Sequence, residues 1–251
     1  MKNKQKFCIA NWKMNLNQIE TSNYLNTFNK YDLKDDNIEI VLCPSYTSFN
    51  IFEINKQFSY KIGAQNVSSF NKGSYTGDIS LDMLEEVNCN YVIVGHSERR
   101  IHFNEMNSDI KLKFDLIYNS SMVPILCIGE NLDERESGLY KSVLDKQINS
   151  ILGDFTEFNK DLIIAYEPVW AIGTGKSASI NIIEETHVVI KNIIKNYTLN
   201  NCNIYILYGG SVNDKNASDI ARINNVDGFL IGTSSLDPKI FYNIYNSLKG
   251  E

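Results

Sequence analysis

The chain has 251 residues, enough for one large α/β domain or two small ones and in either case for a full hydrophobic core. Apolar residues make up 43% and charged residues 22%, which excludes pervasive disorder. The net charge of -6 speaks against nucleic acid as the main partner, because proteins of that kind carry a basic face that neutralises phosphates.

Cys8, Cys43 and Cys127 sit inside apolar runs, Cys202 opens another, and only Cys89 follows a polar residue. An odd number of cysteines with no CxxC pair argues against a disulfide framework or a zinc site and for a reducing, cytoplasmic setting. The basic start, Met1 to Lys6, has the charge of a signal-peptide leader. The apolar stretch behind it, Phe7 to Ala10, is too short for a signal core or a membrane span, so no membrane partner is expected.

Taken in chain order, short apolar runs recur at Phe7–Ala10, Ile38–Cys43, Tyr60–Ala64, Tyr91–Val94, Val123–Ile128, Leu162–Ala165, Ile204–Tyr208 and Gly228–Ile231. Most are nearly continuous and do not alternate, which suits strands of a parallel sheet covered on both faces. Between them lie helical patterns. In Ser108–Ile117 apolar residues return at three- and four-residue steps, and Ile180–Ile194 carries acids early and lysine late, as the helix dipole favours. Eight strand-then-helix units fill the length of a (β/α)8 barrel, eight parallel strands ringed by helices. A doubly wound open sheet is the structural rival, but it uses fewer strands and no G-x-G-x-x-G follows the first run. No linker or low-complexity block interrupts the rhythm, so residues 1–251 are read as a single domain.

In such a barrel the site lies at the carboxyl ends of the strands. The residues there are chemically selective: Asn11 and Lys13 after the first run, Gly95-His96-Ser97-Glu98 after the fourth, Glu167 after the sixth, Gly209-Gly210-Ser211 after the seventh, and Gly232-Thr233-Ser234 after the eighth. Seven motifs, Ala10–Asn15, Gly63–Asn66, Gly73–Gly77, Val94–Arg100, Leu126–Glu130, Ala165–Lys176 and Tyr208–Val212, then run from end to end of the chain. In order and in wording they resemble those of the triosephosphate isomerase family.

The resemblance implies reversible interconversion of glyceraldehyde 3-phosphate and dihydroxyacetone phosphate through an enediolate, with no cofactor and no metal. Glu167 is then the base, and a carboxylate taken out of water is a stronger one. His96 becomes the neutral donor to the developing oxyanion, because Ser97–Arg100 reads as a helix start whose field disfavours imidazolium. Lys13 supplies a fixed positive charge with Asn11 as a neutral donor beside it, and Glu98 neutralises Lys13 between turnovers. Backbone N–H groups at Ser211, Gly232 and Thr233, joined by Gly173, hold the phosphate. Pro168–Trp170 and Thr174–Lys176 are hinges of a lid whose tip is Ala171–Gly173. His102 and His187 are read as surface or packing residues. The loop carrying Thr76 implies a homodimer, as that loop in the family reaches into a second subunit.

The chain departs from the family where two glycines usually follow the eighth strand and Thr233 occupies the second place. The expectation is that Thr233 crowds the phosphate or strains the backbone while its N–H is kept and its hydroxyl adds a contact. Two other readings stay open at this point: a barrel aldolase using Lys13 as a Schiff-base nucleophile, and a non-catalytic binding barrel.

Overall fold

A computed structural model describes residues 5–54, 60–171, 177–199 and 202–249. Eight strands form the barrel: β1 (Lys6–Asn11), β2 (Ile38–Cys43), β3 (Tyr60–Ala64), β4 (Tyr91–Val94), β5 (Val123–Ile128), β6 (Leu162–Tyr166), β7 (Ile204–Tyr208) and β8 (Gly228–Ile231). Each lies parallel to its sequence neighbours, and β1 pairs with β8 to close the ring. The apolar runs predicted as strands are these strands to within a residue at either end.

Among the described residues ten helices surround the ring: α1 (Gln18–Phe28), α2 (Phe49–Ile54), α3 (Leu81–Glu86), α4 (Ser97–His102), α5 (Asn107–Tyr118), α6 (Leu132–Glu136), α7 (Tyr140–Leu152), α8 (Ile180–Ile194), α9 (Ala217–Ala221) and α10 (Pro238–Ser247). Their starts follow local chemistry. Asn17 and Glu20 form a reciprocal cap on α1, and Asp237 caps α10 with Pro238 in the first turn. Each such cap stabilises its helix by about 1 kcal/mol. A two-residue strand pair outside the ring, Glu157–Phe158 beside Thr198–Leu199, has no counterpart in the sequence expectation, since two residues carry no period.

The strand runs look continuous because both faces are buried, yet a period of two is hidden in them. Phe7, Ile9, Val41, Cys43, Ile93, Ile125, Cys127, Ala165 and Leu207 point into the barrel and fill it as a packed interior. Their neighbours Cys8, Ala10, Ile40, Leu42, Val92, Leu126 and Ile164 point outward into a second, larger cluster shared with the helices. Burying one such aliphatic side chain contributes roughly 1.5–3 kcal/mol. The interior layer under the carboxyl ends, Cys43, Cys127, Ala165 and Leu207, is made of modest side chains, and the polar residues stand directly above it.

All five cysteines are free thiols, four of them buried and Cys202 half-buried. No helix among the described residues is long and apolar enough to cross a membrane.

Candidate active site

The carboxyl ends of β1, β4, β6, β7 and β8 converge on one cavity of about 270 Å³. Asn11, Lys13, His96, Glu167, Ser211, Gly232 and Thr233 all border it, so the structure brings together residues that stand up to 222 positions apart in the chain. Gly173 and the segment Thr174–Lys176 lie outside the described residues. Glu98 stands at the rim, and Thr76 is on an exposed loop away from this cavity.

Helix α4 organises the floor. Its first N–H groups have no intrahelical acceptors, and two of them go to the candidate acid–base pair. Ser97 N–H donates to Glu167 Oε2 at 3.0 Å, while Glu98 N–H donates to His96 Nδ1 at 3.2 Å. Because Nδ1 accepts, the neutral imidazole carries its proton on Nε2, which lies 3.1 Å from Glu167 Oε1. Glu167 is 2% exposed and His96 6%, so both are almost sealed from bulk water.

Two close approaches hold the Glu167 residue in place. A Cβ on Gly129 would sit 1.7 Å from the Glu167 carbonyl oxygen, and one on Gly209 would sit 2.9 Å from Glu167 Cγ. Only glycine lets the ends of β5 and β7 come this near to Glu167. Beneath it lies Cys127, whose thiol is pushed up by burial and further by the Glu167 carboxylate, and so stays protonated.

Lys13 has φ 52°, in the left-handed region that a non-glycine residue seldom occupies. Three contacts fix it there. Its N–H donates to Asn11 Oδ1 at 3.1 Å, its carbonyl accepts from Gln65 Nε2 at 2.8 Å, and its ammonium meets Glu98 Oε1 at 2.6 Å. Burial alone would raise the Glu98 carboxyl, but the Lys13 hydrogen bond and charge outweigh it and hold the carboxyl below its usual range. Gly232 stands against the Lys13 stem, its Cβ direction 3.2 Å from Lys13 Cε.

Opposite, Gly232 caps a short 3-10 turn, Thr233–Leu236. Among the described residues, the N–H groups of Ser211, Gly232 and Thr233 make no hydrogen bond within the chain and border the cavity. Thr233 opens this turn without a left-handed backbone, so the strain expected of a β-branched residue there is not realised.

The described residues on either side of 172–176, the segment expected to form a lid, are anchored. Buried Glu130 accepts from Trp170 Nε1 at 3.0 Å, from Tyr166 OH at 3.0 Å and from Arg135 Nε at 2.8 Å. Arg135 also reaches Thr186 on α8 at 2.9 Å. On the far side of that segment, Ala178 N–H donates to Tyr208 OH at 3.3 Å. Sequence reasoning gave no role to Gln65, Gly129, Glu130 or Arg135. Gln65 and the Gly129-Glu130 pair lay inside quoted motifs, whereas Arg135 carried no signal at all.

His102 is exposed on α4 and His187 is buried in α8, as surface and packing residues. No group of three or more metal-ligating side chains forms among the described residues.

A closed parallel barrel with a buried carboxylate–imidazole pair, a fixed lysine and a cradle of free N–H groups defines a (β/α)8 enzyme that moves protons on an anionic substrate. The sequence model of the family described as triosephosphate isomerase matches residues 6–248. The triosephosphate isomerase of Aquifex aeolicus (strain VF5) is 43% identical over 240 residues, 95% of this chain and 97% of that protein. That of Dictyoglomus thermophilum is 41% identical over 248 residues, 97% of this chain and all of the other, and that of Francisella tularensis subsp. mediasiatica is 41% identical over 246 residues, 96% of each. The chain belongs to the triosephosphate isomerase family.

Proposed function

We propose that the chain interconverts glyceraldehyde 3-phosphate and dihydroxyacetone phosphate by proton transfer, with Glu167 as the base. Glu167 takes a proton from the carbon beside the carbonyl and returns it to the neighbouring carbon. His96 Nε2–H donates to the oxygen on which charge develops, and Lys13 and Asn11 add a charge and a neutral donor to the same side. One observation carries this reading: the base and the imidazole are held side by side by the same helix start, with the imidazole proton fixed on Nε2.

Both Glu167 oxygens are engaged, by Ser97 N–H and by His96 Nε2, so proton abstraction requires the carboxylate to leave a partner as the lid closes. Closure excludes water, which matters because an enediol phosphate in water expels its phosphate. The phosphate rests on the free N–H groups of Ser211, Gly232 and Thr233, with Gly173 joining from the lid, near the Lys13 charge. Glu98 balances that charge between turnovers.

The same reading includes a homodimer. A second cavity of about 260 Å³ opens beside the first, between Lys13, Met14, Tyr46, Gln65, Glu98 and Phe103. Met14 is 98% exposed and Phe103 66%, unusual for such side chains on a monomer's surface. Loop 71–78 of a second copy, bearing Thr76 and stiffened by the Phe70–Tyr75 ring stack at 4.2 Å, is the natural occupant. A light-scattering mass equal to one chain would remove this part of the proposal. The free thiols and the metabolic setting of the reaction support a cytoplasmic location.

The test is a coupled assay of glyceraldehyde 3-phosphate conversion, beside a Glu167→Ala control. The expected kcat/KM approaches roughly 10⁸ M⁻¹s⁻¹, the diffusional ceiling for which this family is itself a standard example. A folded wild-type protein with no turnover, or a control that retains it, would refute the assignment.

A further inference from the structure

His96 and Glu167 owe their places to the backbone beside them, and one side chain holds both pieces of that backbone. Arg100 stands on α4, half-buried, one turn beyond His96. Its Nε donates to the Gly95 carbonyl at 2.8 Å and its Nη2 to the Cys127 carbonyl at 3.2 Å, while Nη1 donates to Asn107 Oδ1 at the start of α5 at 2.6 Å. The guanidinium therefore bridges the ends of β4 and β5 and ties both to α4.

Each carbonyl it holds is one step from the site. Gly95 precedes His96, so fixing the Gly95 carbonyl fixes the plane of the peptide from which the imidazole hangs. Cys127 precedes Ile128, whose carbonyl accepts from the Glu167 N–H at 2.7 Å. The helix bearing Arg100 also supplies the Ser97 N–H that meets Glu167 and the Glu98 N–H that meets His96 Nδ1. Gly95 makes room for the fork: it has φ +71°, and a Cβ there would lie 3.0 Å from Arg100 Nη2. Three donors leaving one planar group in fixed directions form a geometry that an ammonium, a point charge on a flexible stem, does not reproduce.

We propose that Arg100 is a positioning residue for the proton transfer: its guanidinium fixes the Gly95 and Cys127 carbonyls and thereby sets the placement of His96 and Glu167 relative to each other. The inference rests on the roles given to those two residues in the preceding section and adds the group that holds them. Arg100 is not among the residues bordering the reaction cavity, so its loss acts on the chemical step and not on substrate binding. A misplacement of about 1 Å at a reacting group costs about a hundredfold in rate. An interaction that matters only in the transition state lowers kcat and leaves KM in place.

The experiment compares wild type with Arg100→Lys, which keeps the charge, and Arg100→Gln, which keeps a donor. It measures kcat and KM for glyceraldehyde 3-phosphate, thermal unfolding, and the ring-nitrogen NMR signals of the three histidines in isotope-labelled protein. In both variants kcat should fall by roughly 10- to 100-fold, with KM within about twofold. The His96 signals, set in wild type by a proton on Nε2 and an accepting Nδ1, should draw together as the two tautomers mix, while those of His187, packed in α8, stay in place. The proposal is overturned if kcat stays at the wild-type value, if KM rises as much as kcat falls, or if His96 keeps its wild-type signals in a slowed variant. If neither variant folds, Arg100 is needed for the fold itself and the positioning role is withdrawn. A Glu167→Ala control separates the two kinds of failure. Turnover that survives in that control removes the base assignment and this inference with it, whereas turnover lost there and kept in the Arg100 variants removes the inference alone.

Discussion

Replacing Gly209 by alanine tests whether the position of Glu167, and not only its presence, sets the rate. The new Cβ would lie 2.9 Å from Glu167 Cγ and 3.3 Å from the Tyr166 carbonyl oxygen. Carbon atoms in comfortable contact are about 3.5–4.0 Å apart, so Cγ must move by roughly 0.6 Å or more. It cannot retreat toward β5, because Gly129 already abuts the Glu167 backbone. The side chain must swing, and the carboxylate at its end swings further. A misplacement of about 1 Å at a reacting group costs about a hundredfold, so kcat should fall by roughly 10- to 100-fold. KM should stay within about twofold, since the free N–H groups proposed to hold phosphate belong to other residues. Overpacking should lower stability by about 1–3 kcal/mol. Steady-state kinetics with thermal unfolding reads both effects. Gly138→Ala provides the comparison: Gly138 has φ +72° with nothing near its Cβ direction, so that change should reduce stability by about 1 kcal/mol and leave kcat alone. A folded Gly209→Ala enzyme with kcat within twofold of wild type would show that Glu167 has room to spare, and the reasoning would fail.

Two further outcomes are expected. His187 is fully buried, donates through Nδ1 to the Asn225 carbonyl at 2.9 Å and has no acceptor for a second proton at Nε2, and burial lowers its pKa from 6.5 to about 4. The unfolded chain therefore takes up this proton first as pH falls, so the contribution is complete above pH 6.5 and is lost between 6.5 and about 4, by about 3 kcal/mol at 1.36 kcal/mol per factor of ten. Urea unfolding at several pH values should show that slope in wild type and a shallower one in His187→Gln; equal slopes would contradict it. Glu130→Gln removes the charge of a fully buried carboxylate that faces the partly exposed Arg135, at a cost of about 1.5–3 kcal/mol, the usual worth of a hydrogen bond to a charged group. Because Trp170 shares that oxygen, kcat should drop as well, and a variant as stable as wild type would show that the network is dispensable.

The strands were legible because continuous apolar runs of four to six residues have few other uses, and the site because its polar residues interrupt those runs at their carboxyl ends. What stayed hidden depends on contacts across the barrel. Nothing in the sequence ties Gly129 and Gly209 to Glu167 until it is seen between them. Gln65 is one amide among many until its side chain is found on the carbonyls of Lys13 and Cys43. Arg135 sits on a short exposed-looking helix, and only the fold turns it toward Glu130. The concern over Thr233 was a one-dimensional inference from a glycine pattern, and the turn it opens accepts a β-branched residue.

The cavity takes its walls from β1 at one end of the chain and β8 at the other, and these two strands are hydrogen-bonded to each other. A chain still emerging from the ribosome therefore holds Lys13 and His96 long before it has Ser211 and Thr233, and on the proposed roles it can neither grip a phosphate nor expose an enediol to water. Catalytic competence arrives only when the last strand docks on the first. Recovery of activity during refolding is consequently a clock for ring closure, and a truncation that removes β8 should yield no partial enzyme.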